Sequence, residues 1–587
     1  MKLTKVRHTL AAGALAAVLA GCSASGGTGT STAAADSSAV VSDAVASSVG
    51  TTVTDALAAN EAATDDPDAA AYDTSGAVAV DLSADSTDAA GVTIADGTVT
   101  IGAAGTYVLS GTLAGQVVVD TDGAVTLVLD GADITSDTTA ALAVMDAESA
   151  VVVLADGSSN SLADAAQYAS ADEEPNAALY SAADLTITGT GALTVTGNAD
   201  DGIAGKDALV VQSGTITVDA VDDGIRGKDL LVVRGGTVTV TAGGDGLKAD
   251  DAEDATAGYV YLAGGTVTVT AGGDGVQAVT DVLVGGGTLD VTAGGGSDQT
   301  VADDASAKGL KGDVSVVVGG GTVDVDAADD AVGSDGAVSI TDGTLTLASG
   351  DDGVHADTDL TIAGGTVTVT GSYEGLESAA VTVAGGDVDV TASDDGVNVS
   401  DGTSSSGGMQ GGGDAAQDVM LTISGGTLTV DSGGDGLDSN GSATMTGGTV
   451  TVSGPTDAGN GALDVNGTFV VSGGTLLATG SSGMLVSPDS SSAQGWVAAV
   501  LTSTAAAGGT VQLVAADGTV VGSAVVTKDA QAVVFSSADV TAGESYTVTV
   551  DGADAGTATA GEAAAGSGMG GGGMGGGPMG GGRPGDN

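Results

Sequence analysis

Hydrophobic and polar residues alternate in short runs that recur along most of the chain. Residues 237–241, for example, read TVTVT. Because successive side chains of a β-strand point to opposite faces, such a run predicts a strand with its valines inward and its threonines outward. A glycine turn precedes each run, and a turn rich in aspartate and glycine follows it, as at 243–246. The pattern therefore predicts short strands separated by tight turns.

The alternating runs return with a fixed period. The threonine after the glycine turn recurs every 22 residues within four groups: Thr215 and Thr237; Thr266 and Thr288; Thr322, Thr344 and Thr366; Thr427 and Thr449. A fixed period built of strands and turns is typical of a solenoid, whose repeats bury their apolar faces against their neighbours. We therefore expect an all-β parallel β-helix with about 22 residues per coil. Insertions interrupt the period at 251–258, 294–307 and 402–418.

The pattern divides the chain into five regions. We expect a lipoprotein signal peptide at 1–22, a flexible Ala/Ser/Thr-rich linker at 23–74 and the parallel β-helix at 75–485. A small C-terminal cap or domain of antiparallel β-strands should follow at 486–560, since its runs are joined by Asp-Gly and Ala-Gly turns. The Gly/Met-rich tail at 561–587 is predicted to be disordered.

The N-terminal residues have the layout of a lipoprotein signal. Lys2, Lys5 and Arg7 precede a short apolar run, which ends in Leu-Ala-Gly-Cys at Cys22. Lipidation of Cys22 would place the protein outside the cell, attached to the membrane only through that lipid. The alternative is an ordinary cleaved signal. Cys22 is the chain's single cysteine, so no intramolecular disulfide can form.

Composition limits the partners. The net charge of −65 disfavours nucleic acid and anionic membranes and favours divalent cations. Aromatic residues make up 2% of the chain, which predicts a core of small aliphatic side chains in thin layers. The carboxylates of successive turns would repel one another if they lay one coil apart.

Calcium would relieve that repulsion, because it accepts six to eight oxygen ligands in loose geometry. The simpler alternative is that aspartate and glycine are good turn formers. The predicted calcium ligands are the turn aspartates Asp200, Asp201, Asp222, Asp223, Asp245, Asp250, Asp251, Asp274, Asp351, Asp352, Asp394 and Asp395.

The few basic residues are clustered. Of the nine Lys and Arg residues after Cys22, seven lie between 206 and 311. The position two residues after the turn glycine predicts one outward column, basic in the middle and acidic toward its C-terminal end: Ala204, Arg226, Lys248, Gln277, Lys311, His355, Glu377, Asn398 and Asp438. We predict that a carboxylated sugar chain binds at Arg226, Lys228, Lys248, Lys311 and His355. The alternative is local neutralisation of neighbouring aspartates by salt bridges.

Catalytic motifs are weak. His8 lies in the signal, so His355 alone could serve a catalytic triad, and no GxSxG motif accompanies it. The one plausible enzyme is a lyase in which calcium acidifies the proton beside a uronate carboxylate and a neutral lysine removes it. Lys248 and Lys311 are the candidate bases.

Several motifs together resemble a known family. Residues 105–113 (GTYVLSGTL), 125–136 (VTLVLDGADITS), 155–164 and 184–211 are similar, in the same order, to the secreted carbohydrate-binding β-helix proteins, which share the fold of calcium-dependent pectate lyases. The resemblance implies a right-handed parallel β-helix, bound calcium, and binding of cellulose or acidic pectic chains without established cleavage. Ala331 follows the Asp329-Asp330 turn and Glu374 replaces an aspartate, so those coils are not expected to hold metal.

The leading functional hypothesis is a monomeric, calcium-stabilised surface lipoprotein that binds polysaccharide, either acidic and pectin-like or cellulose. A calcium-dependent polysaccharide lyase and a non-catalytic stalk or adhesin are the alternatives. The sequence favours a binding protein over an enzyme.

Overall fold

The computed structural model describes residues 50–63, 75–168, 174–302, 305–402 and 416–564. The predicted signal and lipidation site at Cys22, most of the predicted linker and nearly all of the Gly/Met tail lie outside these residues. The described part is all-β, as predicted, with 47 strands and one short helix. None of its helices has the length and hydrophobicity needed to cross a membrane.

The first strands, between residues 75 and 168, already pair mostly in parallel. An antiparallel pair, β2 with β3, is the exception. The nine strands of this part are β1 (Val78–Asp81), β2 (Val92–Ala95), β3 (Thr98–Ile101), β4 (Gly105–Ala114), β5 (Gln116–Asp120), β6 (Val125–Thr135), β7 (Leu142–Asp146), β8 (Ala150–Leu154) and β9 (Ser159–Ala163).

The repeating region follows, and all of its described strand pairs up to β41 are parallel. Its strands are β10 (Ala177–Ser181), β11 (Leu185–Gly189), β12 (Ala192–Gly197), β13 (Asp201–Gly205), β14 (Ala208–Val211), β15 (Thr215–Ala220), β16 (Ile225–Gly227), β17 (Leu230–Val233), β18 (Thr237–Ala242), β19 (Leu247–Ala249), β20 (Tyr259–Leu262), β21 (Thr266–Ala271), β22 (Val276–Ala278), β23 (Asp281–Val284), β24 (Thr288–Ala293), β25 (Leu310–Gly312), β26 (Ser315–Ala327), β27 (Val332–Ser334), β28 (Ala337–Ser349), β29 (Val354–Ile362), β30 (Thr366–Gly371), β31 (Leu376–Val383), β32 (Asp387–Ala392), β33 (Val397–Val399), β34 (Met420–Ile423), β35 (Thr427–Ser432), β36 (Leu437–Ser439), β37 (Ser442–Met445), β38 (Thr449–Ser453), β39 (Leu463–Val465), β40 (Phe469–Val471) and β41 (Thr475–Gly480).

Each strand of this region pairs with its counterpart one repeat away, which sorts the strands into three parallel columns. The threonine column contains β15, β18 and β21. A second column contains β14, β17 and β20. The third, here called the short-strand column, runs from β10 and β13 through β16, β19, β22, β25 and β27, the first residues of β29 and β31, and then β33, β36 and β39. The predicted insertions fall between strands, so the columns continue past them.

The register agrees with the predicted period. Thr215, Thr237, Thr266 and Thr288 are successive partners across the threonine column. In β18 the burial alternates residue by residue: Val238 and Val240 are buried, and the threonines are exposed. The inward valines, leucines and isoleucines of the three columns form one continuous core along the repeats. At about 25 cal/mol per Å² of apolar surface buried, this core is the main stabilising contribution to the fold.

Helix α1 (Val53–Ala59) corrects the predicted flexible linker within residues 50–63. Thr52 caps it: the Thr52 side chain accepts from the Asp55 N–H, and the Asp55 carboxylate accepts from the Thr52 N–H. Its apolar face, with Ala56 buried, packs on outward side chains of the second column: Ala208, Val210, Leu230, Val232, Tyr259, Leu283 and Val317. Burying that face offsets the entropy of ordering a segment whose composition alone resembles a linker.

Beyond β41 the pairing becomes antiparallel. The last strands are β42 (Trp496–Ala505), β43 (Thr510–Ala515), β44 (Val520–Val525), β45 (Ala530–Ser536), β46 (Ser545–Val550) and β47 (Ala553–Thr559). β45 pairs with both β41 and β42, and a separate four-stranded sheet has the order β44-β43-β46-β47. Trp496 is buried at the end of the main core.

Candidate functional site

The turn aspartates before the short-strand column form a series of hydrogen bonds from repeat to repeat. Oδ1 of Asp201 accepts the N–H of Asp223 at 3.2 Å, and Oδ1 of Asp223 accepts the N–H of Asp245 at 2.9 Å. The series continues from Asp245 to Asp274 at 2.8 Å and from Asp274 to the Lys308 N–H at 2.8 Å. We call it the aspartate staircase. Since these N–H groups lie in turns, the carboxylates satisfy backbone donors that the strand pairing leaves over.

The second aspartate is largely buried in three of the four DDG turns, whereas Asp395 in the fourth is half-buried. Asp201, Asp223 and Asp352 are 2%, 6% and 6% exposed. A buried carboxylate is costly unless it is hydrogen-bonded and paired with a cation. In Asp201 and Asp223 the hydrogen bond of the staircase uses Oδ1. The negative charge on Oδ2 therefore still needs a nearby cation.

Basic side chains of the short-strand column provide that neutralisation in the middle repeats. Lys248 Nζ lies 3.0 Å from Asp223 Oδ2 and 2.7 Å from Asp245 Oδ2. Arg226 Nη2 lies 2.7 Å from Asp250 Oδ2, and Nη1 lies 3.5 Å from Asp201 Oδ2. We call the short-strand residues Arg226, Lys248 and Lys311, with their carboxylate partners, the basic segment.

The remaining lysines of this part are paired as well. Lys311 Nζ lies 3.8 Å from Asp274 Oδ2. Lys308 contacts Asp330 and lies 3.2 Å from Asp329. Lys228 Nζ lies 3.5 Å from Asp251 Oδ2. The structure thus shows the local neutralisation that the sequence left open, and sugar binding by these residues stays a prediction.

The register confirms the predicted column of residues. Its successive partners are Ala204, Arg226, Lys248, Gln277, Lys311, Gly333, His355, Glu377, Asn398, Asp438 and Asp464. Gly333 was not predicted in this column, because the turn before it reads Asp-Asp-Ala rather than Asp-Asp-Gly. Asp464, which lies one repeat beyond Asp438 and extends the acidic end of the column, was not predicted either.

The C-terminal repeats contain carboxylates without such cations. We define the acidic segment as Asp394, Asp395, Asp435, Asp438 and Asp464. Asp435 N–H donates to Asp395 Oδ1 at 2.6 Å, so the staircase continues here. Among the described residues, no lysine or arginine forms an ion pair with these five aspartates, and Lys528 pairs instead with Asp431.

Burial and mutual repulsion shift the titration of the acidic segment. Burial, together with the charges of Asp395 and Asp464, raises the pKa of Asp438 to about 8. The same two causes raise the pKa of Asp435 to about 7 and that of Asp395 to about 6, although backbone N–H groups partly oppose them. A divalent cation would remove much of this electrostatic cost.

His355 stands between the two segments. Its Nδ1 lies 3.1 Å from Asp352 Oδ2 and 2.9 Å from Glu377 Oε2, and its Nε2 lies 3.1 Å from Asp357 Oδ1. These hydrogen bonds, that to Asp352 first, raise the pKa of His355 to about 11, against the opposing effect of burial. Glu377 was noted in the sequence only as a column member and not as a site residue.

Comparison with known proteins identifies the family. Residues 95–353 and 351–539 match a model described as "Carbohydrate-binding domain-containing protein". The chain belongs to this carbohydrate-binding domain-containing family. The matched residues include the aspartate staircase and both segments of the short-strand column.

A solved structure is also similar. The polysaccharide lyase-like protein from C. thermocellum, in a gadolinium derivative, is 35% identical over 36% of this chain and 93% of its own, with a TM-score of 0.34. No curated protein matches the chain.

Other predicted metal ligands of this carbohydrate-binding domain protein lie in clusters of carboxylates or beside basic side chains. Carboxylate oxygens of Asp200, Asp201 and Asp222 lie within 4.8 Å of one another, as do those of Asp329, Asp330 and Asp351. Lys308 neutralises the second group. Asp250 and Asp251 instead pair with Arg226 and Lys228.

The geometry argues against Lys248 as the base of a lyase. Burial alone would lower its pKa, but the hydrogen bond to Asp245 and the charge of Asp223 outweigh burial and raise it. A general base must be neutral near the working pH. Lys248 is therefore held as a cation in this structure.

Proposed function

We propose that this protein binds acidic polysaccharide through calcium held at the acidic segment. The observation that carries the proposal is the pair of contrasting segments in one column: the same staircase is neutralised by lysine and arginine in one, and lacks such cations in the other. Calcium accepts six to eight oxygens, so a few partly exposed carboxylates leave coordination positions for a uronate carboxylate of the ligand. Membership of a carbohydrate-binding family supports a sugar as that ligand.

The charge of the protein favours calcium-bridged binding over direct binding. A net charge of −65 repels a polyuronate unless divalent cations lie between the two. Neutral cellulose would need aromatic faces for stacking, and Tyr373, 49% exposed, is the aromatic side chain presented most openly among the described residues. We therefore propose an acidic polysaccharide, rather than cellulose, as the ligand.

We infer further that the three parallel columns are those of a right-handed parallel β-helix with about 22 residues per coil. The parallel pairing of each strand with its counterpart one repeat away supports this architecture. We also propose an extracellular lipoprotein attached through Cys22, which the residues around that cysteine support. In that case Cys22→Ala should release the protein from the membrane fraction, and retention of the variant would contradict the anchor.

Retention on immobilised polygalacturonate and on cellulose tests the binding proposal. We expect retention on polygalacturonate in calcium that a chelator abolishes. The triple variant Asp395→Asn, Asp435→Asn, Asp438→Asn should lose it. A matched triple variant on exposed strand positions, Asp219→Asn, Asp290→Asn, Asp324→Asn, removes the same charge and should keep it.

Other outcomes identify the alternatives. Absence of retention on any glycan, with a melting temperature that calcium still raises, would replace the proposal with the stalk hypothesis. Release of unsaturated product, seen by its ultraviolet absorbance, would indicate a lyase. Lys311→Ala would then test the remaining lysine candidate.

A further inference from the structure

Three side chains of different kinds meet between the two segments. One ligand atom from each of His355, Asp352 and Glu377 lies within 4.8 Å of the other two. The Nδ1 atom is 3.1 Å from the Asp352 oxygen and 2.9 Å from the Glu377 oxygen. Ligand atoms around a tetrahedral ion at about 2.1 Å are about 3.4 Å apart, so a shift of a few tenths of an ångström would admit one.

The far atoms of two of these side chains are held by neighbours. Asp357 Oδ1 lies 3.1 Å from His355 Nε2, and Asn398 Nδ2 donates to Glu377 Oε1 at 3.3 Å. A carboxylate on the distal nitrogen is the usual support of a metal-binding histidine, because it fixes the tautomer and the ring orientation. Without metal, a protonated His355 donates from Nε2 to Asp357 and from Nδ1 toward Asp352 and Glu377. A metal ion would displace the Nδ1 proton and take its place between the ring nitrogen and the two carboxylates, with Nε2–H still directed to Asp357.

The backbone holds the three ligands rigidly and leaves them accessible. His355 and Glu377 are register partners on β29 and β31. Asp352 lies in the turn before β29, where its N–H donates to Asp330 Oδ1 at 3.1 Å. The His355 side chain is 29% exposed and that of Glu377 is 21% exposed. An ion can therefore enter from solvent and keep a coordination position for water or a ligand.

The donor set distinguishes this position from the rest of the column. Calcium prefers hard oxygen ligands, whereas imidazole with carboxylates suits zinc and related divalent ions. We propose that Asp352, His355 and Glu377 bind one divalent transition-metal ion of the zinc class, which joins two adjacent repeats. Asp352, predicted as a calcium ligand, belongs to this second kind of site. The inference does not depend on the proposed polysaccharide binding.

Calorimetric titration of the full chain without a polyhistidine tag tests the site. Zinc is titrated in excess calcium and magnesium, which occupy the many exposed carboxylates. We expect one saturable zinc site, weakened at least tenfold in His355→Gln and in Glu377→Gln, and about tenfold in Asp357→Asn. Melting temperatures without metal show whether each variant folds. Asp438→Asn is the matched control, because it should weaken calcium binding and leave zinc binding unchanged.

Histidine NMR gives a readout at a single residue. Of the two histidines, His8 lies in the predicted signal peptide, so His355 is the one histidine after Cys22. One equivalent of Co²⁺ should broaden the His355 ring resonances. Equal zinc affinity in the native protein and His355→Gln, zinc binding that excess magnesium abolishes, or unchanged His355 resonances would each overturn the proposal.

Discussion

The basic and acidic segments of the short-strand column have the same backbone and opposite electrostatics. In both, an aspartate Oδ1 accepts the N–H of the next turn, as Asp223 does from Asp245 and Asp395 from Asp435. In the basic segment Lys248 neutralises the other oxygens. In the acidic segment no lysine or arginine of the described chain does so, and the pKa of Asp438 rises to about 8. The turn aspartate thus makes the same hydrogen bond in both segments, whereas the way in which its negative charge is neutralised differs.

The largest loss of stability should come from a steric clash at the turn glycines, and it should be equal in both segments. A Cβ on Gly224 would lie 2.2 Å from Val240 Cγ1 and 2.6 Å from the Gly246 oxygen. On Gly396 it would lie 2.1 Å from Val430 Cγ1 and 2.8 Å from the Gly436 oxygen. We expect Gly224→Ala and Gly396→Ala each to lower the free energy of unfolding by about 3 kcal/mol, measured by denaturant titration. Gly371→Ala, with no atom within 4 Å, is the control.

Calcium should act on the acidic segment. At a hundred times its dissociation constant, a ligand that binds only the folded state stabilises it by about 2.7 kcal/mol. We expect differential scanning calorimetry to show a higher melting temperature in calcium and a smaller increase in Asp438→Asn. An equal increase in both proteins would place the bound calcium elsewhere.

Removal of the cation should destabilise the basic segment. Lys248→Met leaves Asp223 and Asp245 facing each other without a positive charge, at a cost of about 2 kcal/mol, since the site is partly exposed. Lys228→Met is the comparison, because Lys228 is more exposed and makes a single contact at 3.5 Å. Similar melting temperatures for the two variants would argue that the ion pairs of the column contribute little.

The pH dependence should separate the segments. In the folded protein the pKa is about 8 for Asp438 and about 7 for Asp435, above the ordinary 3.8. Between pH 4 and pH 8 the folded state therefore holds protons that the unfolded state has lost, so stability falls as pH rises. In chelator we expect a loss of about 1.5 kcal/mol from pH 5 to pH 8, after allowing for solvent screening. The triple Asn variant of the acidic segment should abolish most of that loss.

Replacement of an aspartate by the isosteric asparagine should change the stability of the fold in opposite directions in the two segments. Asp223→Asn keeps an oxygen acceptor for the Asp245 N–H but takes one partner from Lys248, so it should destabilise by about 1 kcal/mol. Asp438→Asn removes one of several repelling carboxylates and should stabilise the calcium-free protein by about 1 kcal/mol. Thermal melts in chelator compare them. If both variants shifted the melting temperature in the same direction, the proposed electrostatic difference between the two segments would be refuted.

The repeat and the column could be predicted from the sequence because both depend on position alone. Residues at the same position within successive repeats, such as Arg226 and Lys248, must be register partners on neighbouring strands once the period is known. The staircase could not be predicted, because spacing does not say which aspartate of a turn, Asp222 or Asp223, points toward the next backbone N–H.

Helix α1 was missed because its Ala-rich composition resembles a linker. A signal was present: Thr52 and Asp55 form the spacing of a capping box, and Val53, Ala56 and Leu57 have helical spacing. What the sequence lacked was the apolar partner surface of the second column, which becomes visible only in three dimensions.

The staircase also makes the protein modular in length. In the staircase each turn is hydrogen-bonded to the turns one repeat before and after it, and Thr215 and Thr237 occupy equivalent positions. Excision of residues 215–236 would join Gly214 to Thr237, and Asp201 would then meet the N–H of Asp245 in place of that of Asp223. Whole repeats can therefore be gained or lost in a gene without new side-chain chemistry, whereas the loss of one residue would misalign every later step.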